Sequence, residues 1–371
     1  MSKKILITAT MQSHICQFHK PLMKMLKENG YEVYVAARDN LAEKNGLKME
    51  YADKVYDIPF FRSPFNPKNI VAYKELKRII NGEDFAVIHS NTPVGGIVTR
   101  IAALKARKRG TKVFYTAHGF HFYKGAPFKN WLIFYPIEKF FSRFTDKLIT
   151  ITKEDYALAK AKFKCKVCYI HGVGANSSRY VPLSEDDKTA ARARLGYSQD
   201  TKIILNVGEL LPNKNQKAAV MAMKKVTESI PDSLLLIAGN GPEKENLERL
   251  IAENALEEKV KLLGYTMELP LYMAACDLLI TCSYREGLPM NVLEAMLSGR
   301  AVVASDNRGH RELVKNGENG YLVQPDDYSG YAQRIVSLLS QLNSFADNSI
   351  RLAEPFKDIN VVNELKEIYE I

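Results

Sequence analysis

Short apolar, β-branched runs alternate with amphipathic helical patterns along the whole chain, and this alternation constrains the fold more than any other feature. It is typical of a parallel sheet covered by helices. It occurs twice within 371 residues, which is enough chain for two domains that each bury a core. The runs are 5–7, 33–35, 86–88, 113–115, 148–151 and 167–170 in the first half, and 203–205, 234–237, 260–263, 278–280, 301–303 and 321–323 in the second.

A polar stretch from Tyr180 to Gln199 separates the two sets of runs, and the balance of charge changes sign there. Residues 1–180 carry 31 Lys+Arg against 14 Asp+Glu, or +17, whereas the remainder is −7 within a total of +10. We therefore predict one domain over 1–180 and a second over 181–371, with the last helix packing back on the first domain. Doubly wound α/β domains bind ligands at the carboxyl ends of their strands, so the expected site is a cleft between two facing domains.

Several classes of protein are disfavoured by the composition. Met1 leads straight into a strand pattern, so we expect no export signal, and no stretch approaches the ~20 apolar residues of a membrane-spanning helix. Five cysteines do not make a disulfide scaffold, which predicts a reducing compartment. Cys165 and Cys168 lack the second pair, or the histidines, of a zinc site, so no metal site is expected.

The most specific motif runs from Arg285 to Met296, after the strand pattern at 278–282. A glycine turn that follows a parallel strand and opens a helix presents backbone N–H groups and a positive helix dipole, which suits a diphosphate. Glu286 precedes the turn, and Glu294 is expected about two turns inside the helix, where its carboxylate can accept hydrogen bonds from sugar or ribose hydroxyls. From periodicity alone, a capped helix with surface glutamates is the simpler interpretation.

This segment resembles the signature of the retaining glycosyltransferases of family 4, in which two glutamates separated by seven residues flank a Gly-x-Pro turn. Further pieces resemble the family in their order and spacing between residues 200 and 325. They are Asn206–Leu210 with Lys214, Ile237–Pro242, Leu263–Tyr265, Ser305–Gly309 and Asn319–Val323. The resemblance implies an α/β protein of the GT-B fold, with two doubly wound Rossmann-like domains facing across a cleft. The first domain would bind the acceptor and the second the nucleotide-sugar donor.

The resemblance also implies roles for individual residues. Glu294 would hold the ribose, Glu286 the hydroxyls of the donor sugar, and Gly264 with Tyr265 would lie near the base. The leaving diphosphate would be stabilised by Lys214 and by backbone N–H groups, without a metal or other cofactor. The implied donor-binding set is Gly208, Glu209, Lys214, Gly239, Gly264, Tyr265, Glu286, Gly287, Leu288, Pro289 and Glu294.

In the first half, Thr116–His121 with the following aromatic segment resembles members that build bacterial capsule, exopolysaccharide or lipid-linked glycans. The resemblance makes His118 a second catalytic candidate beside Glu286, because a histidine at that position approaches the donor sugar. His121 is interpreted as an ordinary loop histidine.

Three departures from the family pattern stand out. The first strand leads into Thr10–Ser13 without a glycine, Glu209 stands where an arginine is usual, and Asn176 stands where many members have Asp. The second departure leaves Lys214 as the main cation for the donor phosphates.

The sequence thus predicts a metal-independent retaining glycosyltransferase that moves a sugar, most simply from a UDP-sugar, to a lipid-linked glycan acceptor in bacterial cell-surface polysaccharide synthesis. A nucleotide-sugar epimerase of the same fold is the alternative, although it would not share the Glu286-to-Glu294 motif. A nucleic-acid-binding protein, suggested by a pI near 9.1, ranks last because no nucleic-acid-binding motif is present.

The predicted location is cytoplasmic and peripheral, at the inner face of the cytoplasmic membrane. Residues 124–147 combine aromatic and basic residues, which is typical of a helix that rests on an anionic leaflet. Trp131 and a second basic cluster, Lys105, Arg107, Lys108 and Arg109, are the residues expected to mediate this contact.

Overall fold

The computed structural model describes residues 3–43, 46–64 and 66–371. Residues 1–174 together with 358–371 form a first unit, and residues 175–357 form a second. The change of unit thus falls a few residues before the polar stretch at 180–199, and the last helix belongs to the first unit.

The first unit is built on a seven-stranded parallel sheet in the order β3-β2-β1-β4-β5-β6-β7. Its strands are β1 (Lys3–Met11), β2 (Tyr31–Arg38), β3 (Lys54–Asp57), β4 (Phe85–Asn91), β5 (Lys112–Ala117), β6 (Lys147–Thr150) and β7 (Lys166–Tyr169). Its helices are α1 (Gln12–Phe18), α2 (Lys20–Glu28), α3 (Lys68–Gly82), α4 (Pro93–Ala102), α5 (Leu104–Lys108), α6 (Phe128–Phe141) and α7 (Lys153–Lys162).

The second unit has a six-stranded parallel sheet in the order β10-β9-β8-β11-β12-β13. Its strands are β8 (Lys202–Val207), β9 (Ser233–Ala238), β10 (Val260–Gly264), β11 (Leu278–Thr281), β12 (Ala301–Ser305) and β13 (Gly320–Val323). Its helices are α8 (Glu185–Leu195), α9 (Gln216–Ser229), α10 (Lys244–Glu253), α11 (Leu269–Ala275), α12 (Met290–Leu297), α13 (Arg308–Leu313), α14 (Tyr328–Leu339) and α15 (Leu342–Ala353), and α16 (Asp358–Tyr369) returns to the first unit.

Alternate residues of the central strands fill two separate cores, because successive side chains of a strand point to opposite faces. Ile204 and Leu235 pack with α9, α10 and α14 on one face, whereas Leu205 and Leu236 pack with α12 and α15 on the other. All four are fully buried. Burying a side chain of this size contributes about 1.5–3 kcal/mol, so helices are needed on both faces of the sheet.

All twelve predicted strands are present, and the structure adds β3, which the sequence pattern did not reveal. β3 is a four-residue strand at the edge of the first sheet, where Lys54, Val55 and Asp57 are exposed. An edge strand needs no apolar run, so it gives no hydrophobic signal. The predicted turn at Thr10–Ser13 is a direct junction instead, since β1 extends to Met11 and α1 begins at Gln12.

Candidate active site

Four strands of the second sheet end in loops that carry the predicted donor-binding residues. β8 ends just before Gly208, β9 ends just before Gly239, β10 ends at Gly264, and β11 leads into the segment that contains Glu286. β8 lies between β9 and β11, so the strand order reverses at this point. Ligands of doubly wound sheets bind where the order reverses, at the carboxyl edge. The fold therefore gathers at one edge residues that span more than eighty positions of sequence.

Glycines let the first two of these loops pack backbone against backbone. A Cβ on Gly239 would lie 1.9 Å from the Gly208 carbonyl oxygen, and one on Gly241 would lie 2.3 Å from that of Leu210. Gly239 also adopts φ +149 and donates its N–H to the Gly264 carbonyl at 2.8 Å. Only glycine fits such an approach, so this part of the edge is lined by main chain rather than by side chains.

The two charged residues predicted for the phosphates and the sugar contact each other. Lys214, at the end of a short 3₁₀ turn over Pro212–Lys214, places its Nζ 2.6 Å from Glu286 Oε1. Both side chains keep some exposure, 26% for Lys214 and 13% for Glu286, so a ligand can reach them.

Arg308 and Gly309, at the start of α13, hold the loop that carries Glu286. The buried Arg308 donates from Nη2 to the Glu286 carbonyl oxygen at 3.2 Å. A Cβ on Gly309 would lie 2.6 Å from the Gly287 carbonyl oxygen. The backbone of the loop therefore packs directly against the backbone of α13, and position 309 has no room for a side chain. The family resemblance includes this segment but implies no role for Arg308.

Gly287 and Leu288 lie between Glu286 and the first turn of α12. Pro289 occupies the N-cap of that helix in an extended conformation, ψ 114, and no side chain caps it. The backbone N–H groups of Gly287 and Leu288 donate to no atom of the described residues. Unsatisfied donors beside a helix N-terminus are suited to an anion.

The predicted position of Glu294 two turns inside the helix is wrong. α12 begins only at Met290, because Pro289 is extended, and Glu294 is its fifth residue. Burial raises the pKa of Glu294 to about 7, against the opposing effects of the Arg179 charge and a hydrogen bond with Tyr180. Neither partner was predicted, since both are distant in sequence and follow the end of the first unit.

The remaining predicted donor-site residues lie near the same edge. Tyr265 is 53% exposed and its hydroxyl contacts the Met267 sulfur at 3.2 Å, while Gly264 adopts φ +70. Glu209 is exposed, and its carbonyl accepts from Gln216 Nε2 at 3.0 Å.

Asn176, which stands where many family members have Asp, caps a turn, with its Oδ1 accepting from the backbone N–H of Ser178 and Arg179. An Asp carboxylate could accept the same bonds.

His118 lies in the first unit, in the loop directly after β5. Its Nε2 is 3.4 Å from Asn91 Oδ1. Burial, and then the neighbouring imidazoles of His14 and His89, lower the pKa of His118 well below its ordinary value, so the ring is neutral at pH 7. His121 stacks on Phe134 with a centroid distance of 4.6 Å, which agrees with its interpretation as a loop histidine.

One face of α6 exposes apolar and basic side chains together. Phe128 is 79% exposed and Leu132 67%, and they share the face with Ile133, Pro136 and Phe140 and with the basic residues Lys129 and Lys139. This spacing of four residues marks a single helix face. None of the helices in the described part of the chain has the length and apolar character required to traverse a bilayer.

Trp131 and Arg107 are only partly exposed, so both are less available for the predicted membrane contact than the other residues named for it. Trp131 packs against Phe122 and donates its Nε1–H to the Tyr123 carbonyl at 3.2 Å. Arg107 is paired with Asp146 at 2.8 Å. An aromatic helix that packs on a sheet must turn one face toward it, and the Trp131 indole lies on that face. In the second basic cluster, Lys105, Lys108 and Arg109 are exposed as expected.

The acidic residue of α6 contributes nothing to this surface, because Glu138 is buried. Its carboxylate is 3.0 Å from Arg100 Nη2 and 3.2 Å from the Tyr115 hydroxyl. The charge exposed on the helix is therefore positive.

Two family models match the chain. The model described as "Glycosyl transferases group 1" matches residues 187–350, and "Glycosyltransferase Family 4" matches residues 21–173. The first match contains the Glu286-to-Glu294 segment and Lys214, and the second contains His118.

Relatives match over nearly the whole chain. The protein named "Putative glycosyltransferase EpsD" of Bacillus subtilis (strain 168) is 39% identical over 100% of this chain and 97% of its own. The UDP-Gal:alpha-D-GlcNAc-diphosphoundecaprenol alpha-1,3-galactosyltransferase of Escherichia coli is 26% identical, covering 89% of this chain and 87% of its own.

Solved structures share the fold. HepE of Anabaena, in complex with UDP and glucose, superposes with a TM-score of 0.79 at 22% identity and 99% coverage of both chains. The sucrose-phosphate synthase of Thermosynechococcus elongatus gives a TM-score of 0.80 at 19% identity, covering 99% of this chain and 98% of that one.

Proposed function

The chain belongs to the family 4 glycosyltransferases of GT-B fold, and on that premise we propose that it moves a sugar, with retention of anomeric configuration, from a UDP-sugar to a lipid-linked glycan. The observation that carries the proposal is the Lys214–Glu286 pair, which lies at the carboxyl edge of the second sheet beside the N–H groups of Gly287 and Leu288.

Complementary chemistry supports a donor site at this edge. Lys214 and the two N–H groups suit a diphosphate, which carries charge that a cation and oriented dipoles stabilise. Glu294 suits the ribose, because a carboxylate accepts hydrogen bonds from two vicinal hydroxyls. The edge is lined by main chain at Gly208 and Gly239, so a ligand can approach the backbone closely there. The half-exposed Tyr265 ring is available to the base.

The proposed transfer uses charge stabilisation rather than a protein nucleophile. The bond between the anomeric carbon and the diphosphate oxygen breaks as Lys214 and the N–H groups stabilise the developing charge. The acceptor hydroxyl attacks from the same face, and its proton goes to the departing phosphate oxygen. Glu286, released from Lys214 by the diphosphate, accepts hydrogen bonds from the donor sugar. We propose that no metal ion takes part in this step.

His118 is proposed to act from the acceptor-binding first unit on the donor sugar. Its ring is neutral at pH 7, so it can donate and accept one hydrogen bond each. The acceptor class is proposed from the E. coli relative, whose name specifies a diphosphoundecaprenol-linked sugar as its acceptor.

The exposed face of α6 is proposed to hold the enzyme at the cytoplasmic face of the membrane, where a lipid-linked acceptor is found. Each cation near an anionic surface contributes about 1 kcal/mol at low salt, and the apolar side chains add burial in the interfacial region. Phe128, Leu132 and Lys129 supply both contributions from one helix face. The proposed role is in cell-surface polysaccharide synthesis.

A panel of nucleotide sugars, screened by thermal unfolding of the full chain, tests the donor assignment. A ligand at a hundred times its dissociation constant stabilises the fold by about 2.7 kcal/mol. We expect UDP and one UDP-sugar to raise the unfolding temperature, and GDP, ADP and CMP to do so much less. Equal shifts with all nucleotides, or a preference for GDP, would contradict the UDP-sugar assignment.

A further inference from the structure

Four histidines gather near the carboxyl end of the first sheet. His14 lies in α1, His19 joins α1 to α2, His89 is in β4 and His118 follows β5. The His118 ring lies 4.6 Å from that of His14 and 5.2 Å from that of His19, between centroids. Segments about a hundred residues apart in sequence therefore place their imidazoles in one cluster.

Two of these rings have a buried nitrogen that makes no hydrogen bond within the described part of the chain. His89 is satisfied on both nitrogens, with Nδ1 2.5 Å from the Tyr369 hydroxyl and Nε2 2.7 Å from Thr116 Oγ1. In contrast, Nε2 of His14 and Nε2 of His19 are buried and have no hydrogen-bond partner among the described residues. A buried polar nitrogen without a partner costs stability, and most such groups in proteins bind a protein group or an ordered water, so two of them side by side call for an explanation.

We propose that His14, His19 and His118 bind one transition-metal ion of the Zn²⁺ type. One ring nitrogen of each lies within 4.8 Å of the corresponding nitrogens of the other two. A tetrahedral Zn²⁺ with Zn–N bonds of about 2.0–2.1 Å holds its nitrogens about 3.3 Å apart. Closing that difference requires rotation about the side-chain torsions of the three histidines.

The donor set selects the class of metal. Three imidazoles without a carboxylate or thiolate suit Zn²⁺, Cu²⁺ or Ni²⁺, whereas Mg²⁺ and Ca²⁺ prefer oxygen ligands. His118 also lies 3.4 Å from Asn91 Oδ1, and an outer oxygen of this kind orients a ligand histidine. Three protein ligands leave the fourth position of a tetrahedral site open to water or another small ligand, whereas a structural zinc site has four protein ligands.

Binding of the metal has a consequence for transfer, and this consequence rests on the proposed function. His118 cannot ligate an ion and contact the donor sugar with the same lone pair, so Zn²⁺ is expected to inhibit the transferase. The binding itself requires neither donor nor acceptor. A metal site can therefore be established even if the proposed function of His118 fails.

Metal titration of the full chain tests the proposal, with any polyhistidine tag removed and the protein first stripped by a chelator. Zn²⁺ affinity is measured by competition with a chromophoric chelator, and the ligand field by the visible absorption of the Co²⁺ form. We expect one Zn²⁺ per chain, a tetrahedral Co²⁺ spectrum, and a loss of affinity of at least about tenfold in each of His14→Gln, His19→Gln and His118→Gln. Circular dichroism of each variant shows whether it is folded.

His121→Phe is the matched control, because it removes an imidazole from the same loop and keeps the stack on Phe134. It should leave both the affinity and the Co²⁺ spectrum unchanged. Zn²⁺ binding that persists in the three glutamine variants and is lost in Cys165→Ser/Cys168→Ser would overturn the proposal, as would an absence of binding to the folded wild-type chain.

Discussion

Lys214 Nζ lies 2.6 Å from Glu286 Oε1, so the cation assigned to the donor phosphates and the carboxylate assigned to the donor sugar neutralise each other. Both side chains retain some exposure, so an incoming ligand can reach the pair. A diphosphate offers Lys214 more negative charge than one carboxylate does. In the proposed mechanism, donor binding therefore replaces this ion pair and releases Glu286 toward the sugar.

Replacement of the cation should abolish most donor binding. We expect Lys214→Ala to weaken UDP affinity by about 10- to 100-fold, as for the loss of a charge-assisted hydrogen bond of about 1.5–3 kcal/mol. Isothermal titration calorimetry measures the change, and the exposed Lys217→Ala in the next turn is the control. If both variants bound UDP equally well, Lys214 would have no role in phosphate binding.

A cation at position 209 should support Lys214. Glu209 is exposed on the same loop, so Glu209→Arg is expected to bind UDP at least as tightly as the parent. Loss of UDP binding in that variant would show that Glu209 itself has a function, and the phosphate-binding scheme would be wrong.

Removal of the Glu286 carboxylate should separate binding from turnover. Glu286→Ala frees Lys214 from its ion pair, so UDP affinity should be maintained or rise slightly, while kcat falls about 100-fold because the sugar contact tightens in the transition state. Calorimetry with UDP and steady-state kinetics with the UDP-sugar give the two numbers. A parallel fall in UDP affinity and kcat would refute this division of roles.

The raised pKa of Glu294 predicts a pH-dependent donor affinity. In the proposed site the carboxylate, rather than the acid, accepts the two ribose hydroxyls, so the UDP-sugar, whose diphosphate does not titrate in this range, should bind about tenfold more weakly at pH 6 than well above pH 7. Glu294→Gln should bind weakly at both values, with a flat profile between them. Calorimetric titrations at pH 6.0, 7.0 and 8.0 measure the donor affinity. If the affinity of Glu294→Gln changed with pH as much as that of the parent, Glu294 would not be the source of the pH dependence.

The raised pKa of Glu294 also makes the free energy of unfolding depend on pH. Between pH 4.5 and about 7, the folded chain binds a proton at Glu294 that the unfolded chain has lost. The contribution of Glu294 to the free energy of unfolding therefore falls as pH rises through that window. Glu294→Gln should lose this part of the pH dependence, which chemical denaturation at pH 5 and 7.5 would detect.

The exposed face of α6 should govern binding to anionic vesicles. Phe128→Ser/Leu132→Ser and, separately, neutralisation of Lys105, Lys108 and Arg109 should each weaken sedimentation with acidic liposomes at least about tenfold at low salt. Ile70→Ser is the matched control, since Ile70 is 59% exposed on α3 of the same unit. Equal binding to neutral and anionic vesicles would exclude the proposed membrane contact.

The fold could be predicted well from sequence because each buried strand of a parallel sheet carries a continuous apolar run. The edge strand β3 lacks such a run and was missed. At the site, Lys214, Glu286 and Glu294 lie in local motifs, whereas Arg179, Tyr180 and Arg308 make their contacts only through tertiary packing. The partial burial of Trp131 likewise depends on which face of α6 meets the sheet, and residue type alone does not determine that.

Product analysis in the presence of EDTA distinguishes metal-independent retaining transfer from the other possible reactions. The full chain is incubated with the UDP-sugar identified by thermal unfolding, with and without a lipid-diphosphate-linked sugar, and the products are examined by NMR. We predict that UDP and a glycoside with the donor's anomeric configuration form only when the acceptor is present, and that EDTA does not prevent their formation. An epimerised sugar without acceptor would show an epimerase, and an inverted glycoside would exclude retention. Activity lost to EDTA and restored by Mg²⁺ or Mn²⁺ would exclude metal-independent transfer.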